Sequence, residues 1–81
     1  MTQAEKLLAA MRASQRGWAM ADIERVCRAN GLEVYAPKRG SHYKIGCRQI
    51  PRVLIVPYNR PIKPVYVAAL LELIDLMEGM R

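Results

Sequence analysis

Phenylalanine is absent from the 81 residues, and tryptophan and histidine occur once each. A core must therefore be filled by Leu, Ile, Val and Met with a few tyrosines. The apolar share of 52% is enough for one core, at a size where such a core is only marginally stabilising. Cysteine occurs twice, as Cys27 and Cys47. Two cysteines make no disulfide framework, and with a single histidine they make no zinc-ligand set. Both read as small core residues. No apolar run approaches the roughly 18 residues needed to cross a bilayer. The start of the chain has no signal-peptide pattern, so a cytoplasmic protein is expected. Repeats and low-complexity segments are also missing, and the aliphatic content excludes a disordered chain. One domain is expected over residues 1–81.

The most telling absence is of acid. Between Val34 and Leu71 there is no Asp or Glu, against seven cations: Lys38, Arg39, Lys44, Arg48, Arg52, Arg60 and Lys63. The residues before this segment mix five cations with four acids, and those after it carry three acids and one cation. A net charge of +6 concentrated in this way raises a positive potential over one part of the molecule, whereas charge that serves solubility mixes its signs. Nucleic acid is the expected partner class. A membrane surface is not, because no helical stretch is both basic on one face and strongly apolar on the other.

What is present orders itself simply. Thr2-Gln3-Ala4-Glu5 has the form of a capping box, and Ala4, Leu7, Leu8 and Met11 follow at helical spacing, so a helix is predicted to about Ala13. A second is predicted over Trp18–Asn30, with Met20, Ile23, Val26 and Cys27 as its apolar stripe and Asn30-Gly31 as its stop. Leu32 to Pro37 alternates, placing Leu32, Val34 and Ala36 on one face of a strand and Glu33 and Tyr35 on the other. Ser41 to Cys47 predicts a second strand, with Tyr43, Ile45 and Cys47 toward the core and His42, Lys44 and Gly46 away from it. Arg52 to Pro57 is a third, whose continuous apolar run points to a central or well-covered position. Pro64 opens a last helix over about Val65–Glu78, with Val67, Leu70, Leu71, Ile74 and Met77 buried. Leu73, Leu76 and Met80 widen that stripe, either to pack on the first helix or to meet a partner chain. The order α-α-β-β-β-α with short turns implies a two-layer α+β domain, an antiparallel three-stranded sheet packed on helices.

The stretch Lys38-Arg39-Gly40-Ser41-His42-Tyr43-Lys44-Ile45 places the only histidine past a glycine turn, with three cations close by. Imidazole is the side chain whose ordinary pKa lets it take and give a proton near neutrality. In isolation the octapeptide reads rather as a surface histidine in a basic loop.

Gly40-Ser41-His42, then Ile55-Val56-Pro57 closing a strand, then Pro61-Ile62-Lys63-Pro64 opening a helix form an ordered set that resembles the HicA family. These are mRNA interferase toxins of type II toxin–antitoxin systems, and the resemblance spans residues 21–77. It implies a double-stranded-RNA-binding-like fold, ribosome-independent mRNA cleavage without a cofactor, and a catalytic histidine at His42. It also implies neutralisation by a HicB-type antitoxin that covers the site, and allows a homodimer within the toxin–antitoxin complex. Residues 1–17 are then an additional N-terminal helix and 18–79 the family core. Where many members carry a second histidine after the Val-Pro strand, this chain has Tyr58-Asn59.

Metal-free RNA cleavage needs a base for the 2′-OH, charge stabilisation at phosphorus and an acid for the leaving 5′-oxygen. His42 is the candidate acid/base, and Lys44 shares its face and suits charge stabilisation. Lys38 and Arg39 suit phosphate positioning, and Arg48, Arg60 and Lys63 extend the expected RNA-binding surface. A single imidazole does not easily fill both proton roles in one step, and Tyr58 or a neighbouring cation is the candidate for the second proton. A metal-dependent nuclease would need clustered carboxylates, which the basic segment lacks, so no metal site is expected. A non-catalytic RNA- or DNA-binding module accounts for the same charge and fold.

Overall fold

The structure, a computed structural model, describes residues 2–80. Its elements are α1 (Gln3–Ala13), α2 (Met20–Ala29), β1 (Glu33–Tyr35), β2 (His42–Cys47), β3 (Ile50–Pro57) and α3 (Pro64–Glu78). This is the α+β order expected, with one antiparallel sheet in the order β1-β2-β3. Among the described residues no helix is long and apolar enough to cross a membrane.

Local chemistry sets the helix ends. The Thr2 hydroxyl accepts the Glu5 amide at 3.1 Å while the Glu5 carboxylate accepts the Thr2 amide at 3.3 Å, so two of the free amides at the start of α1 are satisfied. α2 begins later than the predicted Trp18: Ala19 is the N-cap and its amide donates to the Asp22 carboxylate at 3.1 Å. Trp18 is held outside the helix by its indole N–H on the Ser14 carbonyl (2.8 Å) and by its own carbonyl on the Ile62 amide (2.8 Å). Gly31 stops α2 at φ +79°, a conformation that favours glycine. α3 opens on Pro64, where a missing amide costs nothing.

All three helices contribute to a single buried cluster: Met11 from α1, Ile23, Val26 and Cys27 from α2, and Val67, Leu70, Leu71, Leu73 and Ile74 from α3. The sheet contributes Ile45, Ile50 and Val56 to the same cluster. The helices therefore cover one face of the sheet and leave the other open. The widened stripe of α3 divides, with Leu73 joining the core and Leu76 and Met80 exposed.

Three expectations about the strands are corrected. β1 is shorter than the predicted 32–37; pairing ends at Tyr35, and Ala36 is exposed where the alternation had it buried. Pro37, with no N–H to give, stands just beyond. β3 is longer, starting at Ile50. It is also an edge strand, with β2 as the only central one, so its apolar run does not mark a covered position. In a three-stranded meander with every helix on one side, half of any strand's side chains face solvent whatever their polarity.

Candidate nucleic-acid interface

β2 is the axis of the site. Ile45 is fully buried against the helices, and the strand's period of two then sends His42 and Lys44 to the open face, where both are exposed. The register pairs His42 with Pro57, Lys44 with both Tyr35 and Ile55, and Gly46 with Glu33. Directly opposed residues of antiparallel strands share a face. The open face is thus built in rows: His42 beside Pro57, then Tyr35, Lys44 and Ile55 across all three strands, then Glu33 and Gly46.

The head of β2 is fixed from both sides. Gly40 takes φ +80° with open space around it, and this turn brings Lys38 and Arg39, both exposed, to the His42 end of the sheet. On the other side the Tyr58 amide donates to the Ser41 carbonyl at 2.6 Å, so the last ladder bond clamps the residue before His42.

Tyr58 lies on the other side of the sheet from His42. Its ring stacks on Tyr43 at 6.2 Å between centroids, and Tyr43 packs against the core on the helix-covered face. The Arg60 guanidinium stands 5.8 Å over the Tyr58 ring and its Nε donates to the Tyr58 hydroxyl at 3.1 Å. That hydrogen bond raises the Arg60 pKa above its ordinary value. Behind them a cleft of about 350 Å³ is walled by Trp18, Met20, Tyr58, Arg60 and Pro61, and His42 lies outside it. Tyr58 is accordingly poorly placed as a proton partner for His42.

The cations singled out from sequence fall into three groups. Lys38, Arg39 and Lys44 gather around His42. Arg60 and Lys63, the latter the N-cap of α3, lie at the same end of the sheet on the connection running to the helix layer. Arg48 follows β2 at the opposite end, where its Nε is 3.9 Å from the Glu33 carboxylate. Among the described residues no group of three or more His, Cys, Asp or Glu side chains is placed to hold a metal ion.

Three further side chains belong to the open face and were not singled out from sequence. Tyr35 is 56% exposed, Val53 62% and Ile55 48%. Alternation within β1 already put Tyr35 on the outer side, but the apolar run of β3 hid the other two. Searches against known protein families, curated proteins and solved structures find no match to this chain.

Proposed function

We propose that this chain is a metal-independent mRNA endoribonuclease, the toxin of a type II toxin–antitoxin pair, acting in the cytoplasm and neutralised by a HicB-type antitoxin. The observation that carries the reading is the position of His42: exposed, at the head of the central strand, on the helix-free face, next to Lys44 and below a loop bearing Lys38 and Arg39. The ordered resemblance of 21–77 to HicA proteins supports the same assignment.

The chemistry asks one proton transfer of the imidazole. Neutral His42 takes the 2′-OH proton as that oxygen attacks phosphorus, and Lys44 stabilises the charge gathering on the non-bridging oxygens. As the P–O5′ bond breaks, the leaving 5′-oxygen, on the far side of phosphorus from the attacking 2′-oxygen, takes its proton from solvent water. The products are a 2′,3′-cyclic phosphate and a 5′-hydroxyl, and His42 passes its proton to solvent before the next turnover. Lys38 and Arg39 hold the flanking phosphates.

Replacing the base removes about 10²- to 10⁴-fold in rate. His42→Ala is expected to lose that factor in cleavage of single-stranded RNA in EDTA, and to abolish growth arrest, with its thermal unfolding unchanged. Cleavage by His42→Ala at near the parental rate would overturn the catalytic assignment, and loss of parental cleavage in EDTA would overturn the metal-free mechanism. The exposed Tyr35–Ile55 row favours a second reading, a non-catalytic RNA- or DNA-binding module. That reading predicts RNA binding with no cleavage by the parental chain.

A further inference from the structure

We propose that the helix-free face of the sheet is a track for single-stranded RNA on which Tyr35 stacks a base next to the scissile phosphate; this rests on the nuclease reading of His42. The register places the Tyr35 Cα opposite that of Lys44, one row from His42 on the same face. Strand rise and spacing put the Cα atoms of Tyr35 and His42 about 8 Å apart. A base resting on this ring therefore belongs to a nucleotide adjoining the one whose phosphate His42 and Lys44 address.

The ring is set for stacking. It is more than half exposed, and its hydroxyl donates to the Glu33 carboxylate, which ties down the tip and leaves a face free. That contact keeps the phenol protonated, since Glu33 raises its pKa. Ile55 and Val53 continue the surface across β3. Gly46 offers no side chain between Glu33 and Val53, and a Cβ there would come within 3.9 Å of the Val53 methyl and 3.4 Å of the Arg52 carbonyl. The face is consequently aromatic on β1 and apolar on β3, with Lys44 between them.

Charge selects the occupant. Lys38 and Arg39 stand at one end of the face and Lys44 in the centre, while Arg48 and Arg52 line a hollow with Tyr35 and Val53 at the other end. The sheet and its loops hold a single acid, Glu33, and that carboxylate is engaged by Tyr35 and Arg48. Aromatic and apolar side chains set among cations along the face fit a chain whose bases stack while its phosphates lie alongside. A duplex has no unstacked base to offer the ring.

The test uses the full chain carrying His42→Ala, so that RNA survives, and a fluorescent single-stranded oligoribonucleotide at fixed salt. Loss of one base–aromatic stack lowers affinity by about 5- to 100-fold. Tyr35→Ala is expected to show that loss, Tyr35→Phe to restore the affinity, and duplex RNA of the same sequence to bind more weakly than the single strand. With His42 intact, the Tyr35→Ala defect is expected mainly in KM. Because the side chain is exposed on an edge strand, both variants should unfold at the parental midpoint. Equal affinity of Tyr35→Ala and the parent, or equal affinity for duplex and single strand, overturns the track while leaving the nuclease reading standing. The first result is also what a face built for an acidic protein would give. Absence of RNA binding by the parental face at low salt overturns both.

Discussion

The side chain at position 42 faces away from the helices because that at 45 must face them. A one-residue slip of β2 would turn His42 and Lys44 inward and put Ile45 in water, and burying two charged or polar groups without partners is far costlier than either contact is worth. This much was legible in sequence, since Tyr43-Lys44-Ile45 alternates. The run Val53-Leu54-Ile55-Val56 does not, so nothing in it announced that Val53 and Ile55 would stay exposed; that depends on where the helices go. The cysteines show the same dependence. Cys27 is buried in α2, and desolvation, the main cause, with the Glu24 charge beside it, pushes its pKa up to about 12 from an ordinary 9.0. The native state keeps that proton where the unfolded chain loses it, so its stabilising effect is complete below pH 9 and is lost as pH rises toward 12. Native protein treated with a maleimide at pH 7.5 is expected to react at half-buried Cys47 and spare Cys27 until denaturant is added. A urea midpoint that falls above pH 9, and falls less in Cys27→Ala, checks the linkage; equal labelling of both thiols in the native state would contradict the burial.

At the scale of elements, α1 is attached by an apolar anchor more than by charge. Met11 is 0% exposed within the common core, while Arg12 reaches Asp75 of α3 through a 2.7 Å ion pair at the surface. The Asp75 hydrogen bond raises the Arg12 pKa, but both groups are substantially solvated, and an exposed pair of this kind contributes about 0–1 kcal/mol. Truncating a buried methionine costs about 2–5 kcal/mol. Urea unfolding is therefore expected to rank Met11→Ala well below Arg12→Ala, and raising salt should narrow only the difference between Arg12→Ala and the parent. A helix lost equally in both variants would mean the ion pair, not the core, holds α1. The capping box made the start of α1 readable in advance, and Pro64 and Gly31 made one end each of α3 and α2 readable. The sequence pattern of α2 includes Trp18, but its indole and carbonyl are engaged by Ser14 and Ile62, partners a local pattern cannot supply.

Across the whole molecule, charge is sorted by layer. Of the seven acids, six lie on the helices, and among the described residues these meet only four helical cations, Lys6, Arg12, Arg25 and Arg28. The sheet and the loops around it carry the acid-free segment's cations. The sorting was legible as an acid-free stretch of sequence; which of its cations act together was not, since Arg48 ends up at the far end of the sheet and Arg60 on the Tyr58 ring. A polyanion held by Lys38, Arg39, Lys44 and Arg52 releases counterions, and the logarithm of its binding constant should fall with the logarithm of salt at a slope of about −2 to −3 for a single strand. Lys44→Ala is expected to make that slope shallower by roughly 0.7 and to weaken all RNA sequences alike. Lys6→Ala with Arg25→Ala removes as much positive charge or more, but from the helix layer, and should leave the slope where it was. Titrations at several salt concentrations, run on His42→Ala, separate the two cases. If the helix-layer pair flattens the slope and Lys44→Ala does not, then the polyanion binds the helices and the open face of the sheet serves another purpose.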